Sequence, residues 1–236
     1  DARAHAAIAS FSAHYYQPPP CAVVLQRAND GSVSLKPAAK NARVEIRYTL
    51  NGSEPTADSK LYKGSVALEN GAHFKARSFA NGQKGPLLER RLGIAKLAWK
   101  VTASSAQTGF DISKVIDGNP KTFWHTSWTD KFPTHPHSLI IELPEARSLS
   151  GLTYLPRQDR RIPDGMIETG YIEVSLDGSK WTKVTNFTFG NLVNSPDERI
   201  KLFPKSVKAR FVRLVSTKGA AGKPYAAAAE IGLLGK

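Results

Sequence analysis

The sequence predicts an all-β fold of two β-sandwich domains, a small antiparallel sandwich and then a jelly roll, with one short helix at the N-terminus. Three observations predict it. Apolar and polar residues alternate through most of the chain, the period of a half-buried strand. Asn-Gly and Asp-Gly pairs, which take the positive φ of tight turns, separate the alternating runs. Helical spacing is confined to residues 1–16, where Ala4, Ile8, Phe11 and Tyr15 form one narrow apolar face that Pro18, Pro19 and Pro20 end.

After the prolines the period switches. In VEIRYTL, Val44, Ile46, Tyr48 and Leu50 point one way and Glu45, Arg47 and Thr49 the other, and Asn51-Gly52 follows as a hairpin turn. HFKARSF is a further strand with Lys75 and Arg77 outward, closed by Asn81-Gly82. Residues 20–95 therefore read as a small β domain without a helix. From residue 96 the segments SLIIEL, GLTYL, GYIEVSL, WTKV and ARFVRLV are expected strands, and Asp177-Gly178 is another hairpin turn. Many short strands joined by turns argue a sandwich or jelly roll over 96–236. Trp124 and Trp181 are expected in its core. The irregular stretches 102–137 and 156–170 exceed the usual connection length, which marks them as functional loops. Residues 1–19 read as a helix and linker left from an upstream domain, since a lone helix of this length is marginal in water.

Composition bounds the function. With 41% hydrophobic and 22% charged residues among 236, the chain has the makings of two globular cores. No apolar run reaches the ~20 residues needed to span a bilayer. Cys21 is the only cysteine, so no internal disulfide supports the fold. The net charge of +13 is spread, with thirteen basic against seven acidic residues up to residue 95 and twenty against thirteen beyond. No basic block is long enough to follow a phosphate backbone, which argues against nucleic acid.

Two segments carry oxygen donors suited to a hard cation. KVIDGNPKTFWHTSW sets Lys114, Asp117, Asn119 and Thr122 on a glycine-containing turn, and AAAAEI offers Glu230 and the Ala229 carbonyl. Calcium takes six to eight oxygens from carboxylates, amides and backbone carbonyls. Such a site would tie the two ends of the domain together; the alternative is an Asp117 that caps its own turn. His125, His135 and His137 lack the cysteine or carboxylate spacing of a zinc cluster.

DGNPKTFWHTSW, SLIIEL, GLTYLPRQD, YIEVSLDGSKW, ARFVRLV and YAAAAEI stand in an order that resembles the coagulation factor V/VIII C-type, or discoidin-like, domains. Within that group they look most like the family 32 carbohydrate-binding modules, over residues 98–236. The resemblance implies a jelly-roll sandwich, a structural calcium, and a shallow galactose- or N-acetylhexosamine-binding site on loops at one end. It places the ligand-binding residues at His125, Trp128, Arg157 and Tyr225. Gln107 stands where the group often has an acidic residue and completes the candidate set. An aromatic ring covers the apolar face of a pyranose, and a fixed guanidinium donates to sugar oxygens. The competing readings are an Arg157–Asp159 ion pair, a Tyr225 that caps the calcium loop, and a Trp128 packed on a neighbouring loop. RRIPDG departs from the group's pattern and adds Arg160 and Arg161, which suit a sulfated or sialylated glycan. IRYTLNGSEPTADSKLYKG and KARSFANGQKGP are similar to the chitobiase and β-hexosaminidase C-terminal domain, over residues 22–95.

Together these resemblances imply the C-terminal part of a bacterial glycoside hydrolase, secreted, periplasmic or on the cell surface. The expectation is a monomeric, non-catalytic module that targets an upstream catalytic domain, a β-N-acetylhexosaminidase, to glycans. A hydrolase would need two carboxylates about 5–10 Å apart, and the long loops offer no such pair beyond Asp111 and Asp117. The alternative is a spacer or adhesion module for a protein or an anionic lipid surface, with Trp128, Phe132 and Met166 at loop tips beside Lys131 and Arg161.

Overall fold

The structure, a computed structural model, describes residues 20–40, 42–129, 134–159 and 164–235. The expected helix over 1–16, Pro18 and Pro19, and Lys131, Phe132, Arg160 and Arg161 lie outside the described residues. The described chain is all-β, in two compact units. One comprises residues up to Gln26, Val33–Val66 and His73–Arg90; the other comprises Arg27–Ser32, Ala67–Ala72 and everything from Arg91. Two loops of the N-terminal half, Arg27–Ser32 and Ala67–Ala72, thus group with the second unit.

In the first unit β1 (Val23–Arg27) pairs with β2 (Val33–Pro37). A second sheet holds β3 (Glu45–Thr49), β4 (Lys60–Leu61), β5 (Ala72–Ala80), β6 (Gln83–Lys84) and β7 (Leu88–Leu92), with β5 at its centre between β3 and β6. The alternation works as read: Ile46, Tyr48, Phe74 and Ala76 are buried, and Tyr48 stacks on Phe74 at 5.5 Å. Leu50 breaks the pattern and is 40% exposed, because β3 ends at Thr49. Asn81-Gly82 makes the expected tight hairpin, both residues with positive φ (51° and 72°). Asn51-Gly52 does not. Asn51 accepts the Ser53 N–H on its side chain and opens a longer loop to β4.

The second unit contains β8 (Lys100–Ala103), a 3-10 helix over Ile112–Ile116, β9 (Trp124–His125), β10 (His137–Leu155), β11 (Ile167–Ser175), β12 (Thr182–Thr188), β13 (Arg199–Gly219), β14 (Ala227–Ala228) and β15 (Glu230–Gly235). The large sheet runs β12-β11-β13-β10-β15, all antiparallel, with β8 also on β10. SLIIEL and GLTYL, expected as separate strands, are two halves of β10. Its first half lies between β13 and β8, its second between β13 and β15, and a register shift between Glu142 and Arg147 separates them. Pro144 falls inside that irregularity, where a missing N–H costs no ladder bond. Side chains from both halves, among them Leu139, Ile141, Leu149 and Leu152, join one core with Ile172, Val212, Leu214 and Leu233.

Trp124 belongs to that core and is 1% exposed. Trp181, expected beside it, is instead half-buried, with the Arg213 guanidinium 4.2 Å over its ring. Asp177-Gly178 sits in a wider hairpin than a two-residue turn, since Val174 pairs with Thr182 across it. The Asp177 carboxylate accepts the N–H groups of Ser179 and Lys180 at 2.8 Å each and so holds that loop.

Candidate functional site

The two long irregular stretches meet the chain's C-terminal segment at one place. The two-residue ladder of β9 and β14 pairs His125 with Ala227 and Trp124 with Ala228. On either side Thr126 N–H donates to the Ala226 carbonyl at 2.9 Å, and Ala226 N–H donates to Thr126 Oγ1 at 3.1 Å. The 164–166 turn closes the group, with Ala227 N–H bonded to the Gly165 carbonyl. Gly165 is required there. Its φ is +87°, and a Cβ would lie 2.8 Å from Ala227 Cβ and 2.9 Å from His125 Nε2.

A cavity of about 590 Å³ opens between these loops. His125, Trp128, Arg157 and Tyr225 all line it, together with Phe110, Phe123, Asp159 and Asp164. His125 is buried, and its ring meets Trp128 edge-on at 4.8 Å and Tyr225 at 5.4 Å. Nδ1 lies 2.7 Å from the Thr126 carbonyl, which can only accept, so Nδ1 carries the proton and Nε2 keeps its lone pair. Trp128 is 37% exposed, and its ring lies 5.3 Å from Phe110, leaving an aromatic surface open to the cavity.

Arg157 is the most constrained member. Its side chain is 8% exposed, its guanidinium lies 4.3 Å over the Phe123 ring, and Nη1 donates to the Asp164 carbonyl at 3.2 Å. Nη2 pairs with Asp159 at 3.6 Å, so the expected ion pair exists within the site. The Nε–H is buried and has no protein partner. Burial pulls the guanidinium below its ordinary value, opposed by Asp159 and Asp164.

Gln107 does not line the cavity. Its side-chain oxygen accepts the Trp128 N–H at 3.0 Å, and its backbone N–H donates to the His125 carbonyl at 2.9 Å. It sets the loop that presents the two rings. Phe110 and Phe123 were missed by the sequence reading; an aromatic in a long loop is the signal that finds Phe110, whereas Phe123 is masked by the neighbouring core Trp124.

Burial lowers the pKa of both His125 and His137 from the ordinary 6.5. The fold therefore prefers neutral rings. The unfolded chain binds these protons first as pH falls, so stability present above 6.5 is lost as pH drops through the depressed folded values. A falling unfolding midpoint between pH 7.5 and 5, reduced in slope by His137→Gln, is the expected outcome of thermal denaturation; an equal slope in both proteins would contradict it.

Of the candidate cation donors, Asp117, Asn119 and Thr122 share one turn, where the Asn119 side-chain oxygen accepts the Lys121 N–H. Asp117 accepts the Asn119 N–H at 2.8 Å and the Thr122 hydroxyl at 2.6 Å, which is the turn-capping arrangement. Glu230 faces the same turn: burial pushes its carboxyl up, Lys96 opposes this, and the Asp117 charge adds to it. Lys96 bonds Glu230 Oε2, while Oε1 is buried without a partner. The Lys114 ammonium donates to the Gly109 carbonyl, so only its backbone oxygen is available as a ligand. Ala229 enters the group through its place beside Glu230; its N–H donates to the Leu155 carbonyl.

The chain is similar to known proteins over both of its units. Residues 100–231 match the F5/8 type C domain model, and residues 33–86 match the Fn3 associated model. A Gibberella zeae galactose oxidase is 35% identical over 139 residues, which is 58% of this chain and 20% of that protein. A Micromonospora viridifaciens sialidase is 33% identical over 204 residues, 86% of this chain and 30% of that protein. The chain thus spans a third or less of the curated relatives it matches. Among solved structures, a Clostridium perfringens family 32 carbohydrate-binding module in complex with GalNAc-β-1,3-galactose is 29% identical with a TM-score of 0.52, covering 58% of this chain and 94% of that one. The C-terminal domain of a Bacteroides fragilis chitobiase is 26% identical with a TM-score of 0.52, covering 61% and 97%.

Proposed function

Since the chain belongs to the F5/8 type C domain family, we propose that its second unit is a non-catalytic carbohydrate-binding module that holds a galactose- or N-acetylhexosamine-type sugar and targets an attached glycoside hydrolase, of β-N-acetylhexosaminidase kind, to glycans. The observation that carries this is Arg157. Its guanidinium, stacked on Phe123 and anchored by Asp159 and the Asp164 carbonyl, lines a cavity that Trp128 and Tyr225 also wall. A guanidinium already held in place can donate to sugar oxygens with little further loss of side-chain freedom. The aromatic rings cover the C–H face of the same pyranose, and His125 Nε2 accepts from a hydroxyl. The Clostridium module with its bound GalNAc-β-1,3-galactose supports the sugar class.

Asp159 and Asp164 of the 156–170 loop, an acid pair beyond the expected Asp111 and Asp117, line the same cavity, paired with Arg157 and Lys223 respectively. Among the described residues two carboxylates stand beside the one guanidinium of the cavity, which suits a neutral sugar, while Arg160 and Arg161 lie outside the described residues. Met166 is 1% exposed, so it offers nothing to a lipid surface, which disfavours the membrane alternative. A glycan ligand implies a secreted, periplasmic or cell-surface setting, and no helix among the described residues is long and apolar enough to cross a membrane. The module acts as a monomer, and one shallow site gains its effect by raising the enzyme's local concentration.

The orphaned Glu230 oxygen and the facing Asp117 fit a calcium ion, held by Asp117, Glu230, Thr122, Asn119 and the backbone oxygens of Lys114 and Ala229. Bound there, calcium would supply a structural cross-link between the domain's two ends. Calorimetric titration with galactose, N-acetylgalactosamine and N-acetylglucosamine tests the sugar reading, and saturable binding of at least one is expected. No heat with any of the three would reject it. A chelator that leaves the thermal midpoint unmoved would reject the calcium.

A further inference from the structure

The β14 end of the site is held by a contact outside the cavity. We propose that His135 and His137 are positioning residues for sugar binding, fixing the backbone that presents Tyr225. The proposal rests on the reading of the cavity as a sugar site and adds residues that contact no ligand.

His137 is 2% exposed and begins β10. Its Nε2 lies 2.7 Å from the Pro224 carbonyl, an acceptor only, so Nε2–H donates to the residue immediately before Tyr225. His135 Nε2 lies 3.2 Å from the Lys223 carbonyl, one residue further back. Its Nδ1 lies 3.2 Å from the Ser216 carbonyl and 3.3 Å from Ser216 Oγ, so a neutral ring, which carries one N–H, serves one of the two carbonyls at a time and braces His137 by contact. The two rings meet edge-on at 4.7 Å and brace each other. From the opposite side the Lys223 ammonium pairs with Asp164 at 3.3 Å, on the loop whose carbonyl accepts from Arg157. The Pro224 carbonyl, captured by the buried His137, leaves Tyr225 one bond away from an anchored backbone, with its ring 5.4 Å from His125. No residue of the 220–224 segment other than Ala220 is fully buried, so packing alone does little to order it.

Calorimetry with galactose and N-acetylgalactosamine on the whole chain tests this. His137→Phe keeps a ring but cannot donate, and about tenfold weaker binding is expected, the worth of one good hydrogen bond. His137→Gln keeps an N–H donor and should stay near the parent affinity. In a Tyr225→Ala background the penalty of His137→Phe should vanish, because the histidine acts through that ring. Amide exchange over residues 223–227 without sugar should quicken about tenfold in His137→Phe, and His135→Ala provides the same reading should the first variant fold poorly. Unchanged affinity and exchange, or a penalty that persists without Tyr225, would overturn the proposal and leave the sugar site standing. Absence of sugar binding by the parent chain would overturn the sugar reading and the proposal with it.

Discussion

Arg157→Ala is expected to lower affinity for the bound sugar by at least about a hundredfold, the largest effect of any substitution at the cavity. Charged hydrogen bonds contribute about 1.5–3 kcal/mol each, and the guanidinium that lines the cavity can give a sugar more than one. The loss has a second source. Without the guanidinium, Asp159 loses the cation it is paired with, the Asp164 carbonyl loses a donor, and the Phe123 ring loses its cover. A lysine should not restore binding, because its point charge can neither lie flat on Phe123 nor present the same fork. Calorimetry on Arg157→Ala and Arg157→Lys decides the matter: near-parent affinity in either variant would remove Arg157 from the site.

Tyr154→Phe should cost about 2–4 kcal/mol of stability, measured by denaturant unfolding, although the change removes a single oxygen. Tyr154 is fully buried, and burial pushes its phenol well above the ordinary value, so the group stays protonated. Its hydroxyl donates to the Ala227 carbonyl at 2.9 Å and accepts the Ile167 N–H at 2.9 Å. Phenylalanine strands both backbone groups away from water, each at about 1–3 kcal/mol. The same oxygen joins the starts of β11 and β14, so sugar affinity should fall as well. A loss under 1 kcal/mol with unchanged sugar affinity would show that these two elements do not depend on the phenol.

The parts of this molecule that were legible in the sequence are those where one residue's chemistry decides its place. Alternation placed Ile46, Tyr48 and Phe74 inside, and positive φ placed Asn81-Gly82 in a hairpin. The four residues taken from the resemblance, His125, Trp128, Arg157 and Tyr225, stand around one cavity. Legibility failed where a long-range contact overrode a local signal. β10 passes through LPEARSLS, which reads as a loop, because β13 pairs with it on both sides of the irregularity at Pro144. Trp181 has a core residue's size but was claimed by Arg213 at the surface. Gln107 has a ligand's polarity, yet its oxygen is consumed by Trp128 N–H, a bond that no spacing rule foretells.

The short ladder of β9 and β14 joins residues about a hundred positions apart. Loop closure of that length must be achieved before any ladder bond forms, so the cavity is expected to be among the last features to assemble. A nascent chain still lacking Tyr225 would carry His125, Trp128 and Arg157 and yet hold no sugar. Binding then reports that the chain has been made and folded through β14, so a glycan column would retain molecules that reach β14 and pass those that stop short of it.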